Sequence, residues 1–366
     1  MERSLVAKES HLPFRAIPAA AVRGRNPLAL ARNSLTLLRG TMAAMHLIRR
    51  ERPGAILGTG GYVCVPLFVA ARLLRTPTII YLPDIVPGLA VRFLSRLATI
   101  TAANVEDSAP FLQKKVYDVR QGSVQSKQVL PDIVERQKAL HIVGYPVRAD
   151  LIGLDRQACR AAFQLRPELP VVLVYGGSRG ARSINQAIAA LLEPLLRQAQ
   201  VLHICGREGD DAFLQTAVQR VAEPLRANYH LFPYLHASEQ TADGKVQPSM
   251  AQAFGAADLA ICRSGASTLA ELPAVGLPAV LVPYPYVHQE ENADYLVRHG
   301  AAVKVLDNAM LGTGQPEEGV LFQQVSRLLE RHDERKQMAL RSCELARPGA
   351  AERLAVMLLE LASRSV

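Results

Sequence analysis

Short apolar runs, many of them β-branched, alternate along the chain with longer stretches whose apolar residues recur at helical spacing. The runs Ala55–Gly58, Thr78–Leu82, Ala98–Ala102 and Ala139–Val143 predict strands in the first part of the chain. In the second part Pro170–Tyr175, Gln200–Cys205, Tyr229–Phe232, Asp258–Cys262, Ala279–Pro283 and Ala301–Val305 do the same. Strands that read as continuous apolar runs are buried on both faces, and their alternation with helices is the pattern of a doubly wound parallel sheet. Ligands in such sheets bind at the carboxyl ends of the strands, so the loops that follow them carry the chemistry. No repeat with a period of 20–50 residues interrupts the pattern.

A chain of 366 residues exceeds one ordinary core, which predicts two domains with a boundary in the turn Gly144-Tyr145-Pro146-Val147-Arg148. The polar, turn-rich segment Ser238–Ser249 reads as a flexible surface loop. Between residues 28 and 50, Leu, Met and Ile at helical spacing are interleaved with Arg32, Arg39, Arg49 and Arg50. That pattern fits an amphipathic helix lying on a membrane and equally a core-facing helix with a solvated basic face.

Charge sharpens this picture. Residues 1–146 carry 20 Lys and Arg against 9 Asp and Glu, whereas residues 147–366 carry 22 against 24. An anionic surface or ligand is therefore expected for the first half alone. Nucleic acid is disfavoured, since Trp is absent and no finger, RNP or aromatic–basic pattern occurs. The anionic cytoplasmic leaflet fits better. No stretch has the roughly 18–20 apolar residues of a membrane-spanning helix, and no export signal opens the sequence. The five cysteines are scattered without a C-x-x-C pair and read as buried small hydrophobes of a reducing compartment, with no metal site.

Three loops stand out. Gly58-Thr59-Gly60-Gly61-Tyr62 and Gly176-Gly177-Ser178-Arg179-Gly180-Ala181 each link a predicted strand to a helix, where free backbone N–H groups and the helix dipole favour phosphate. Neither matches a P-loop or a dinucleotide fingerprint. The third, Cys262-Arg263-Ser264-Gly265-Ala266-Ser267-Thr268-Leu269-Ala270-Glu271, reads locally as a capping box between Thr268 and Glu271. Together with the next strand-end loop, Tyr284 to Ala293, it also describes a pocket: a helix N-terminus for a diphosphate, and a carboxylate that can accept two hydrogen bonds from a ribose diol.

Six segments occur in one order: Gly-Thr-Gly-Gly-Tyr (58–62), Val-Pro-Gly-Leu (86–89), Gly-x-Pro-Val-Arg (144–148), Gly-Gly-Ser-x-Gly-Ala (176–181), Cys-Arg-Ser-Gly-Ala-x-Thr-x-x-Glu (262–271) and His-Gln-x-x-Asn-Ala (288–293). Over nearly its whole length the chain thereby resembles the MurG family within glycosyltransferase family 28. The resemblance implies a GT-B fold of two Rossmann-like domains, residues 1–146 for the lipid-linked acceptor and 147–345 for the donor, with helix 346–366 packing back on the first. It implies transfer of N-acetylglucosamine from UDP-N-acetylglucosamine to a polyprenyl-pyrophosphate-linked acceptor at the cytoplasmic face of the plasma membrane, with inversion and no bound metal. By resemblance Glu271 holds the ribose; Ser264, Gly265, Ala266 and Thr268 face the diphosphate with Arg148 and Ser178; Gln289 and Asn292 meet the sugar; and Leu235 meets the uracil. Gly60, Gly61 and Tyr62 receive the acceptor diphosphate.

Two departures are evident. The family opens on a strand and a Gly-Gly-Thr-Gly-Gly-His loop that this sequence does not contain, which predicts a first domain lacking its initial βαβ unit and the family's catalytic histidine. Where the family has His-Glu-Gln-Asn, this chain has Tyr81-Leu82-Pro83-Asp84, leaving Asp84 as the candidate base. His11, His46 and His141 are the histidines of the first domain that could stand in. Three alternatives accompany the reading: a related GT-B transferase for another lipid acceptor, a UDP-sugar-binding subunit completed by a partner, and a GT-B epimerase.

Overall fold

A computed structural model gives the architecture and describes residue 6 and residues 12–20, 27–119, 139–177, 179–235 and 248–363. Ser178, His11 and most of the predicted loop Ser238–Ser249 lie outside the described residues. The chain divides into two compact units, one up to Val143 joined by the segment from Glu352, the other Gly144–Ala351.

Unit 1 is built on a five-stranded, wholly parallel sheet in the order β1-β2-β3-β5-β4, with β1 Ile56–Gly58, β2 Thr78–Leu82, β3 Ile100–Ala103, β4 Lys115–Asp118 and β5 Ala139–Ile142. Strands β2, β3 and β5 are buried at every position, as their unbroken apolar sequences require. Strand β4 was not predicted: it is a half-exposed edge strand whose Lys115 and Asp118 hide it from a search for apolar runs. Helix α1 (Pro27–Glu51) packs on α2 (Cys64–Leu73), with Gly40, Ala44 and Ile48 on its buried side. A Cβ on Gly40 would collide with the Pro18 carbonyl, so glycine lets the residue 12–20 segment pass close over the helix. Helix α3 (Leu89–Leu97) buries Val91 and Leu94 and follows β2.

Unit 2 holds a six-stranded parallel sheet in the order β11-β10-β9-β6-β7-β8. Its strands are β6 Val171–Tyr175, β7 Gln200–Ile204, β8 Tyr229–Phe232, β9 Leu259–Cys262, β10 Ala279–Leu281 and β11 Ala302–Lys304. The helices that matter for the site are α4 (Arg182–Ala190), α5 (Thr268–Val275) and α6 (Glu290–Arg298). The order reverses direction between β6 and β9, so their C-terminal loops form the crevice of a switch point. The last helix, α7 (Ala350–Ser363), belongs for most of its length to unit 1. Its Arg353 donates through Nε and Nη2 to the Val143 carbonyl at 3.0 and 2.8 Å.

The cysteine expectation is corrected in part. Cys159, Cys205 and Cys262 are buried, but Cys64 is half-buried and Cys343 is exposed. Nothing in their spacing foretold this, because a single residue's burial depends on which helix face the tertiary packing covers.

Candidate functional site

In unit 2 the loops after β6, β9 and β10 emerge side by side because these strands lie together in one parallel sheet. The loop after β9 turns directly into α5, so the positive end of the helix dipole lies in this loop, while the Thr268 and Ala270 amides donate to the Gly265 and Ser267 carbonyls at 3.1 and 3.0 Å. Ser267 occupies the N-cap position without a side-chain cap bond, and the Thr268 hydroxyl donates instead to the Arg263 carbonyl at 3.0 Å. The capping box expected between Thr268 and Glu271 is therefore not formed. Thr268 sits one residue too far into the helix to cap it, and its hydroxyl closes the loop behind it.

Glu271 is consequently available as a ligand group. Burial raises its carboxyl above the usual range; a hydrogen bond from Ser267 and the positive charge of Arg148 oppose that shift, and Asp150 adds to it. Arg148 lies 3.4 Å from Asp150, both half-exposed, just after the turn that opens unit 2. Beneath Glu271 the Tyr175 and Cys262 side chains are buried, and burial pushes the Cys262 thiol up to about 12. Two uncharged groups thus floor the site.

The β9 and β10 loops are knitted together. Ser264 donates to the Gln289 carbonyl at 2.7 Å, and the Gln289 side chain accepts from the Tyr284 amide at 3.0 Å. Asn292, wholly buried at the start of α6, donates to the Ser264 carbonyl at 3.0 Å. Ser264 and Thr268 are also buried, whereas Gly265, Ala266 and Gln289 are partly accessible. The accessible members form the surface and the buried members hold it in shape. Leu235, 8% exposed, follows β8 at the same end of the sheet.

Sequence reasoning passed over Arg263, which is the hub of this end of the unit. Its Nη1 donates to the Val282 and Pro283 carbonyls at 3.1 and 3.2 Å, and its Nη2 to Ser183 at 2.6 Å. An arginine at the end of a fully apolar strand is the signal that could have revealed it, since a charge there needs partners.

In unit 1 the loops after β1 and β2 also emerge together, because the two strands are parallel neighbours. Gly60 and Gly61 have φ of +98° and +79°, a region that favours glycine, and Tyr62 is half-exposed. Asp84 stands half-buried in the next loop, so the predicted acceptor residues share one end of one sheet. His46 is exposed on α1, whereas His141 is buried inside β5.

Against known proteins, residues 171–354 match the C-terminal domain model of glycosyltransferase family 28 and residues 1–103 match its N-terminal domain model. This chain belongs to glycosyltransferase family 28. A relative from Roseiflexus sp. (strain RS-1) is 56% identical over 369 aligned positions, covering 100% of this chain and 82% of the relative. It is named UDP-N-acetylglucosamine–N-acetylmuramyl-(pentapeptide) pyrophosphoryl-undecaprenol N-acetylglucosamine transferase. A relative of the same name from Desulforudis audaxviator is 35% identical over 98% of this chain and 87% of its own length. Among solved structures, MurG of Acinetobacter baumannii is similar at a TM-score of 0.69 with 24% identity, covering 98% of this chain and 88% of that one. A UDP-GlcNAc 2-epimerase from Neisseria meningitidis shares the fold at a TM-score of 0.60 with 14% identity, covering 98% and 88%. The family and the two parallel-sheet units together give the GT-B class.

Proposed function

We propose that this family 28 chain is an inverting glycosyltransferase that moves N-acetylglucosamine from UDP-N-acetylglucosamine to undecaprenyl-pyrophosphoryl-N-acetylmuramoyl-pentapeptide, converting lipid I to lipid II in peptidoglycan synthesis. The observation that carries it is Glu271: a largely buried carboxyl, paired electrostatically with Arg148, at the start of a helix whose positive dipole end suits a diphosphate. It supports a nucleotide diphosphate with its ribose diol on the carboxylate. Gly265, Ala266 and Ser264 then border the diphosphate with Thr268 behind them. Ser178 and Arg148 add donors, Gln289 with Asn292 beneath it borders the sugar, and the backbone near Leu235 reads the uracil.

An acceptor hydroxyl attacks the anomeric carbon as the bond to UDP breaks. The hydroxyl proton passes to a general base, for which Asp84 is the candidate. The departing diphosphate's charge is met by the helix N-terminus and Arg148, so the reading needs no resident metal ion. Gly60, Gly61 and Tyr62 receive the acceptor's diphosphate.

The outer side of α1 supports a peripheral place on an anionic cytoplasmic leaflet. Leu28, Leu35, Leu38 and Met42 are 82, 47, 57 and 54% exposed and share one stripe, opposite the buried Gly40, Ala44 and Ile48. Arg32, Arg39, Arg49 and Arg50 are exposed around that stripe, and Glu51 is the helix's one acidic residue. No helix among the described residues is long and apolar enough to cross a membrane.

The decisive experiment follows label from UDP-N-acetylglucosamine into lipid I, with calorimetry of UDP binding alongside. Glu271→Ala is expected to abolish measurable UDP binding; unchanged affinity would sink the ribose role. Transfer to diacylglycerol but not to lipid I would move the reading to another lipid acceptor, and epimerisation without any acceptor would overturn transferase activity altogether.

A further inference from the structure

The loop after β7, Gly206-Arg207-Glu208-Gly209-Asp210, lies between two parts of the proposed donor site. Sheet order places β7 between β6, whose loop begins Gly176-Gly177, and β8, which leads to Leu235. The loops after β6 and β7 touch backbone to backbone. Gly180 and Gly206 have φ of +87° and +92°, and a Cβ on either would run into the other loop. No side chain fits at that contact, and the ion pair that joins the two loops, Arg179 Nε to Glu208 Oε1 at 2.5 Å, is solvent-exposed and contributes little.

Register is supplied from behind, by Asn185 on α4. Its amide nitrogen donates to the Cys205 carbonyl and to Asp210 Oδ2, both at 2.8 Å. Its carbonyl oxygen meets His203 Nε2 at 2.9 Å, and His203 Nδ1 meets the Tyr229 hydroxyl at 2.8 Å. Asp210 also accepts from Arg182 at 3.0 Å, at the start of α4. Asn185 and His203 are 1% and 0% exposed.

Only one arrangement of protons satisfies every donor and acceptor in this cluster. A flipped amide would set an oxygen against the Cys205 oxygen and the Asp210 carboxylate, so the nitrogen must face them. Asn185 Oδ1 then requires a donor, which fixes the proton on His203 Nε2 and leaves Nδ1 to accept from Tyr229. Burial holds the ring neutral, lowering its pKa to about 3. An N–H on one ring nitrogen and a lone pair on the other are both needed, and neutral imidazole supplies both.

We infer that Asn185 and His203 are positioning residues for the donor: they lock the loop after β7 against the glycine-rich loop after β6, so that the nucleotide meets one fixed surface. The inference rests on reading unit 2 as the UDP-sugar site. Neither residue touches the ligand; both act through Cys205, Asp210 and the start of α4.

The test is calorimetry of UDP and of UDP-N-acetylglucosamine with the full-length chain, together with KM for donor and for acceptor and a melting curve for each variant. Asn185→Leu and His203→Leu are expected to weaken UDP by about tenfold or more, the scale of a misplaced binding surface, while acceptor KM holds. His203→Gln keeps an N–H for Asn185 and is expected to recover most of the affinity. Nitrogen NMR of the wild type should show a neutral Nε2–H tautomer for His203. Variants that melt earlier yet bind UDP as the wild type does would overturn the inference, since a purely structural role lowers stability alone. If Asn185→Leu does not fold, His203→Leu against His203→Gln decides, and equal affinity in that pair overturns it. A wild-type chain that fails to bind UDP at all would overturn the donor-site reading itself, a different result.

Discussion

Arg263 and Asp307 meet at 2.5 Å although 44 residues separate them, and Ser183 bridges the pair by accepting from Arg263 at 2.6 Å and donating to Asp307 at 2.8 Å. The three residues come from the β9 loop, the segment after β11 and the first turn of α4. Their ion pair is mostly buried, with side chains 10% and 24% exposed. Removing one partner of such a pair strands the other charge.

Asp307→Ala is therefore expected to destabilise unit 2 by about 2–3 kcal/mol, below the ~3–5 kcal/mol of a fully buried pair because Asp307 keeps some solvent. Urea unfolding measures the loss. UDP affinity should fall with it, as the loop carrying Ser264 and Gly265 loses its anchor.

Glu271 makes donor binding pH-dependent in a defined direction. Burial raises its pKa above the ordinary carboxyl value, and only the ionised form accepts both ribose hydrogen bonds. UDP affinity should be complete above that raised pKa and fall as pH drops through it, beginning at a higher pH than an ordinary carboxylate would give. Glu271→Gln should flatten the profile and cost about 2 kcal/mol, roughly 30-fold, at neutral pH. Calorimetry between pH 5 and pH 8 would show both.

His203 contributes to acid sensitivity of the fold. Its pKa drops from 6.5 to about 3 on burial, so the unfolded chain takes up a proton that the folded chain refuses. The stability it contributes is present above 6.5 and is lost progressively as pH falls toward about 3. The expected loss is on the order of a few kcal/mol across that window. His203→Gln should lessen the acid dependence in denaturant titrations at pH 4 and pH 7.

Two glycines in one loop should respond differently to alanine. Gly177 has φ of +89° with open space where a Cβ would stand, so Gly177→Ala costs strain alone, about 1–2 kcal/mol. Gly180 has φ of +87° and its Cβ would strike the Cys205 carbonyl, so Gly180→Ala adds a steric cost and should approach about 3–4 kcal/mol. Thermal melts of the two variants, side by side, check the difference.

The outer stripe of α1 predicts binding to vesicles containing anionic lipid. Leu35→Gln with Leu38→Gln should reduce that binding by about tenfold or more while leaving UDP affinity unchanged. Raising salt should weaken it further, since Arg32, Arg39, Arg49 and Arg50 surround the stripe. Flotation assays with and without anionic lipid report both effects.

Much of this was legible in the sequence. The ten apolar runs became ten strands because most of them, β2, β3, β5, β6, β7, β9 and β10, are buried at every position and so are largely apolar, and the order of glycine loops named the family. Helical spacing announced α1, though not which of its sides met the core. Strand β4 escaped, being an exposed edge with charged ends. Arg263, Asp307 and Ser183 escaped too, as did Asn185, His203 and Asp210, because their partners are far apart in the chain.

The sequence by itself determined the strands, the glycine-rich loops and the presence of Glu271 at the right place in a donor motif. These follow from local chemistry: apolar periodicity, backbone freedom and residue spacing. Only the tertiary structure decided that Glu271 is free of a capping box and faces Arg148, that α1 turns an apolar stripe outward, and that a buried asparagine and histidine clamp two loops together. Those outcomes depend on hydrogen bonds and burial that exist only once distant strands lie side by side in one parallel sheet.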